Sequence, residues 1–197
     1  MNIFLETQRL TLRNLAEDDL DNLVELDSDP EVMLYINGGI AVSRRAIANN
    51  FLPYVQSYNL QPDYGFWGII TKSSQTFIGW IFLRPEVDFE LLRQLNLAES
   101  DATEMGYRIQ RSHWNQGYTT EAAKALIHKS FSESDIAKIS AWALKENQAS
   151  TKVMEKAGLK LQQEYVVTEK MLPPSLLENN LVQNILNRPF VKYQLIR

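Results

Sequence analysis

The chain has 197 residues, with 20 Lys+Arg against 24 Asp+Glu and a formal net charge of −4. At 45% hydrophobic and 22% charged it has side chain enough for a folded core and too little charge for a disordered chain. The mild acidic excess counts against a nucleic-acid binder, whose partner calls for a basic surface, and the absence of Cys removes disulfides, thiol nucleophiles and Cys-ligated metals.

The length predicts one domain over 1–197. The first residues, Met1 to Glu6, carry no basic and no long apolar stretch. No apolar run reaches the roughly 18 residues of a membrane span. A cytoplasmic protein with no membrane partner is expected. Residues 3–13 predict a strand, with Leu10 and Leu12 alternating against Arg9, Thr11 and Arg13. Glu17, Asp18 and Asp19 then form a solvated helix start ahead of Leu20, Leu23 and Val24. Pro30 opens a second helix that Gly38-Gly39 ends, and Ser43 caps a third reaching about Tyr58. Phe66–Thr71 and Thr76–Leu83 predict a hairpin across Lys72–Gln75, and the second strand, apolar on both faces, belongs in mid-sheet.

Residues 85–101 are polar and irregular, with a short helix near Leu91–Leu95. Thr103–Ile109 alternates, with Met105, Tyr107 and Ile109 on one face and Glu104, Gly106 and Arg108 on the other. A long helix from about Gly117 to Ser132 buries Ala122, Ala125, Leu126 and Phe131. Lys138–Leu144 is the next strand, and Ala149, Val153, Met154 and Ala157 stripe a helix that Gly158 ends. A strand over 159–168, a break at Pro173-Pro174, a helix over Ser175–Leu186 and a strand over Phe190–Ile196 complete the chain. The pattern predicts an α+β fold: a mixed, mostly antiparallel sheet of about seven strands with helices on both faces.

G-x-G-x-x-G, G-x-x-x-x-G-K-[ST] and G-x-S-x-G are all absent. His113 and His128 are too few and too far apart for a metal site, so no metal is expected. The informative stretch is Trp114-Asn115-Gln116-Gly117-Tyr118-Thr119-Thr120-Glu121-Ala122, between a strand and a helix. Small, flexible residues at a helix start let backbone N–H groups converge on a phosphate, and Gly117 lets a ligand approach the chain closely. An ordinary capped helix gives the same pattern.

This stretch resembles the pyrophosphate loop of the GNAT acetyltransferase superfamily, most closely its RimJ/RimL branch of ribosomal-protein N-terminal acetyltransferases. Glu6-Thr7-Gln8-Arg9-Leu10-Thr11-Leu12-Arg13 resembles that branch's opening strand, and Phe77-Ile78-Gly79-Trp80 its third strand. Asn147-Gln148-Ala149-Ser150-Thr151-Lys152-Val153-Met154-Glu155-Lys156-Ala157-Gly158-Leu159 resembles its second cofactor segment. Asn115 stands where the family usually has Gly, a change that Asn tolerates at unusual φ, and Thr119 where it prefers Gly or Ala.

The resemblance implies a GNAT fold with the fourth strand (Glu104–Ile109) splayed from the fifth (Lys138–Leu144), and acetyl-CoA bound in the gap. Arg108, Ile109 and Gln110 would bond the pantetheine. The pyrophosphate would sit among Asn115, Gln116, Gly117, Tyr118, Thr119 and Thr120. Asn147 would bond the pantetheine amide, with Lys152 at the cofactor's rim. The activity implied is direct acetyl transfer from the thioester to a primary amine, on a protein or peptide N-terminus or a small molecule. A catalytically silent acyl-CoA-binding module is the alternative.

Glu104 is the candidate base, or else a carboxylate paired with Arg108. Ser150 is the candidate acid toward the departing sulfur, or else only a hydrogen-bonding group; Met154, where many relatives carry Tyr, has no proton to give. Tyr35, Trp67 and Trp80 are candidates for the acceptor pocket, or else core. The 85–101 and 170–188 segments are candidate lids, the latter also a homodimer contact through Leu176, Leu177, Leu181 and Ile185.

Overall fold

The computed structural model describes residues 3–197. One eight-stranded sheet runs through it: β1 (Ile3–Glu6), β2 (Leu10–Asn14), β3 (Gly65–Thr71), β4 (Phe77–Pro85), β5 (Thr103–Ile109), β6 (Lys138–Leu144), β7 (Lys160–Val166) and β8 (Pro189–Ile196). The order across the sheet is β1-β2-β3-β4-β5-β6-β8-β7. Every neighbouring pair is antiparallel except β5 and β6. The eighth strand comes from the opening segment, expected as one strand over 3–13. Thr7 turns the chain there: its N–H bonds the Leu10 carbonyl and its Oγ1 accepts the Leu10 N–H, both at 2.9 Å. A threonine turn of this kind has no Gly or Asn-Gly signature.

Helices α1 (Leu20–Ser28), α2 (Pro30–Asn37), α3 (Arg44–Ala46) and α4 (Leu52–Ser57) lie over one face of the sheet. Asp29 caps α2, Gly38 ends it at φ +81°, and Ser43 caps α3. The third helix is not continuous. Between α3 and α4 the chain widens into a π turn over Ile47–Phe51, next to Pro53, whose missing N–H removes one α-helical bond. The acidic helix start is solvated only at Glu17 and Asp18. Asp19 is buried, receives both Arg13 guanidinium NH groups at 2.6 and 2.7 Å, and accepts the Ala16 N–H.

Helices α6 (Tyr118–Glu133) and α7 (Gln148–Lys156) lie over the other face and bury Ala122, Ala123, Leu126 and Met154 against Leu12, Ile81 and Ile139. A third cluster joins α5 (Glu90–Gln94), α8 (Pro174–Leu177) and α9 (Asn180–Ile185), with Leu91, Leu92, Leu176, Ile185 and Phe190 inside it. The single helix expected over Ser175–Leu186 is thus two, because Asn179 accepts the Leu181 N–H and restarts the chain as α9. Leu176 and Ile185 are buried within this chain, and Leu177 and Leu181 are half-buried alongside them. Among the described residues no helix is long and apolar enough to cross a membrane.

Candidate active site

The site begins where the sheet opens. β5 and β6 pair only at Thr103↔Ile139 and Glu104↔Ser140, and beyond Glu104 they diverge. On its other edge β5 stays paired to β4 along its whole length. Gly79 makes this possible at the far end: a Cβ there would lie 2.1 Å from the Arg108 carbonyl oxygen, and φ is +151°. The Gln110 N–H bonds the Ile78 carbonyl at 2.8 Å. Antiparallel bonding alternates along a strand, so Arg108 and Gln110 turn their backbone groups toward β4, while Tyr107 and Ile109 turn theirs into the gap. The Ile109 carbonyl already takes the Trp114 Nε1–H at 2.8 Å. Of the three residues expected to bond a pantetheine arm, only Ile109 presents its amide to the opening.

Beyond β5 the chain reaches the phosphate-loop candidate. Asn115 adopts φ +58° and Gly117 φ +79°, left-handed conformations that suit Asn and Gly. The first α6 bond runs from Glu121 N–H to the Gly117 carbonyl, so the N–H groups of Tyr118, Thr119 and Thr120 have no intrahelical partner. A cavity of about 230 Å³ lies between this loop and α7, lined by Asn115, Gly117, Thr119, Thr120, Lys152 and Lys156 among others. The β1–β2 turn braces the loop from outside. Arg9 donates to Glu121 Oε2 at 2.6 Å and to the Gln116 carbonyl at 3.0 Å, and its guanidinium lies 4.4 Å from the Tyr118 ring centre. Burial favours the neutral form of Glu121, but hydrogen bonds from Thr7 and Arg9 outweigh it and lower its pKa.

A second cavity, of about 140 Å³, links this loop to the strand opening and is lined by Tyr35, Tyr107, Arg108, Thr119, Asn147 and Ser150 among others. Asn147 caps α7, its Oδ1 accepting the Ser150 N–H at 3.2 Å. A third cavity, of about 540 Å³, shares Tyr107, Arg108, Asn147 and Ser150 with the second and extends toward α4 and α5. Its walls are aromatic: Phe51, Tyr54, Phe66, Trp80, Phe82 and Phe89. Gly106 lies in this wall, where a Cβ would meet the Phe82 ring at 2.3 Å.

Glu104 lines this third cavity and is paired with Arg84, not with Arg108. Arg84 stands directly across the β4–β5 ladder, and its Nε donates to Glu104 Oε2 at 2.7 Å. Arg108 reaches the other way, to Asp27 of α1, with its guanidinium 5.0 Å from the Trp80 ring centre. Burial raises the Glu104 pKa, and Arg84 only partly offsets it. Ser150 Oγ lies 3.1 Å from the Tyr107 hydroxyl.

Tyr35 and Trp80 therefore fall beside Ser150 and Glu104, in the second and third cavities. Trp67 does not. It is buried on the opposite face of the sheet from Trp80, its ring stacked on Phe4 at 4.1 Å, and lines none of the three cavities. Sequence alone gave no part to the Tyr107 side chain or to Arg84. The period-2 pattern put Tyr107 on one face with Met105 and Ile109, but only the strand opening gives it Ser150 as a partner. Arg84 was hidden because cross-strand register is not written in either strand.

The splayed parallel pair, the helix start and the buried Glu104 thus lie along one run of cavities. A family model described as an acetyltransferase (GNAT) domain matches residues 9–160. The chain belongs to the GNAT acetyltransferase family and is an N-acetyltransferase. It is 30% identical over 150 residues to an uncharacterized N-acetyltransferase, p20, of Bacillus licheniformis, covering 76% of this chain and 78% of that one. It is 26% identical over 190 residues to FsC-acetyl coenzyme A-N(2)-transacetylase of Aspergillus fumigatus, covering 96% and 79%. Its fold matches RimL, a ribosomal L7/L12 α-N-protein acetyltransferase solved with coenzyme A, at a TM-score of 0.73 and 16% identity over 99% and 98% of the chains.

Proposed function

We propose that this N-acetyltransferase uses acetyl-CoA as donor and a primary amine with an apolar body as acceptor, on a small molecule or a protein N-terminus. The observation that carries the reading is the series of cavities through the strand opening: phosphate-loop amides at one end, Glu104 and aromatic walls at the other. The name of the Aspergillus relative supports the donor. The segments 6–13, 114–122 and 147–159 support a place in the RimJ/RimL branch. Zero Cys fits a cytoplasmic setting.

The residues fit the donor. The amides of Tyr118, Thr119 and Thr120 take the pyrophosphate, with Lys152 and Lys156 adding positive charge at its rim. Ile109 N–H and the Asn147 side chain lie along the path of the pantetheine. The bound donor supplies an activated acetyl group. Glu104 accepts the proton that the ammonium must shed, through a water, and returns it to solvent. The neutral amine's lone pair then forms the C–N bond as the C–S bond breaks and its electron pair leaves on sulfur, and the nitrogen releases its second proton to solvent. The Tyr107 N–H faces the carbonyl oxygen as negative charge builds there. Ser150 Oγ–H stabilises the departing thiolate, which needs no strong acid because thiols ionise near pH 8.5.

Incubation with acetyl-CoA and a panel of primary amines tests this. Thiol release accompanied by an N-acetylated product supports the reading, with aryl- or branched-alkyl amines ahead of short hydrophilic ones. Acetyl-CoA left intact with every amine in the panel argues for the silent acyl-CoA-binding alternative.

A further inference from the structure

We propose that Tyr107 is a positioning residue that holds the Ser150 hydroxyl at the strand opening, aimed at the sulfur that departs. The inference rests on the acetyl-CoA reading above and assigns a role to a side chain that reading leaves unused.

Tyr107 projects from the face of β5 that meets α7, just where β5 and β6 have ceased to pair. Its hydroxyl is 3.0 Å from the Ser150 carbonyl oxygen and 3.1 Å from Ser150 Oγ. Among the described residues, Ser150 Oγ has no other hydrogen-bond partner. Both side chains line the two cavities that meet at the opening. One turn further along α7, Met154 lines the larger of these cavities and offers no O–H or N–H. The hydroxyl groups that line both cavities are those of Tyr107 and Ser150.

A phenol carries one proton and two acceptor positions. With that proton on the Ser150 carbonyl, the phenol oxygen can accept the Ser150 hydroxyl proton. With it turned to Ser150 Oγ, the serine's own proton is released toward the cavity. Tyr107 thereby gives the serine hydroxyl two defined orientations in place of free rotation. Burial raises the phenol's pKa above its usual value, so it remains a donor across working pH and gives up no proton itself. Charge on sulfur is met by the serine O–H, and the thiolate takes its eventual proton from solvent.

Steady-state kinetics and acetyl-CoA titration on Tyr107→Phe, Ser150→Ala and the double variant test this. Phenylalanine keeps the ring in place and removes only the hydroxyl. The expected result is a kcat about tenfold lower for Tyr107→Phe, the scale of one lost hydrogen bond, with KM and affinity for acetyl-CoA within about twofold of wild type. The double variant should be no slower than Ser150→Ala alone, because Tyr107 acts through that serine. Losses that multiply in the double variant overturn the inference. So does a Tyr107→Phe enzyme with wild-type kcat and weakened acetyl-CoA binding, which would make the phenol a strut between β5 and α7. Wild-type protein that binds no acetyl-CoA overturns the donor reading, and this inference with it. Wild-type turnover with unchanged Tyr107→Phe kinetics overturns this inference alone.

Discussion

At Glu104 two opposing effects set the carboxyl's proton affinity. Burial disfavours the charged form, and the Arg84 guanidinium at 2.7 Å favours it; burial prevails, and the pKa lies above the ordinary carboxylate value. A base so placed holds its proton to higher pH than an exposed glutamate does. The acid limb of kcat/KM in the wild-type enzyme should therefore lie above the usual carboxylate range. Glu104→Gln should lower kcat/KM near pH 7 by about 100-fold, the low end for a positioned general base. The deficit should narrow toward pH 9, where more of the amine is already neutral. A wild-type rate at every pH would remove Glu104 from the chemistry. Glu104 and its face were legible from alternation in Thr103–Ile109. Its partner was not: intrastrand spacing points to Arg108, whereas the register with β4 supplies Arg84 and frees Arg108 for Asp27.

Among the elements, the β1–β2 turn and α6 act together. Thr7 and Arg9 hold Glu121 in the first turn of α6, and Arg9 also binds the Gln116 carbonyl, so the loop is shaped before any ligand arrives. Arg9→Ala should weaken acetyl-CoA binding about three- to tenfold, in keeping with the modest value of a partly exposed ion pair. Its effect on kcat at saturating donor should be small. Titration of acetyl-CoA into the variant checks this, and unchanged affinity would leave the turn with no part in loop geometry. The loop, α6 and α7 were legible because their signals are local: a glycine at positive φ, helical periodicity, an Asn cap. The turn at Thr7 was not, since the alternation of Leu10 and Leu12 continues the strand pattern across it. The π turn before Pro53 was hidden in the same way, because periodicity alone does not register a widened turn.

Across the whole molecule, the sheet opening joins two unlike environments. The α6–α7 side offers backbone amides and lysines, and the α1–α5 side offers aromatic rings around a buried carboxylate. The 85–101 segment, which the sequence leaves irregular, lines the third cavity. Glu86 is fully buried and accepts bonds from Ser140 Oγ, Trp142 Nε1, Lys192 Nζ and the Glu99 N–H at 2.5–3.1 Å. A buried carboxyl group held by four donors anchors the segment to β6 and β8 beside Asp88, Phe89 and Glu90 of the cavity wall. On the proposed function, the Gly117 loop binds the donor's pyrophosphate. Calorimetric titration of acetyl-CoA into wild type and Gly117→Asp tests this, because a Cβ at Gly117 meets nothing closer than Arg9 Nη2 at 3.5 Å, while the new side chain brings both the strain of φ +79° and a carboxylate that opposes a pyrophosphate. Micromolar binding to wild type is expected, with at least about tenfold weaker binding to the variant, roughly the 1.4 kcal/mol of one misplaced charge at a partly solvated site. Equal affinity in the two proteins, or no binding to wild type, would contradict it.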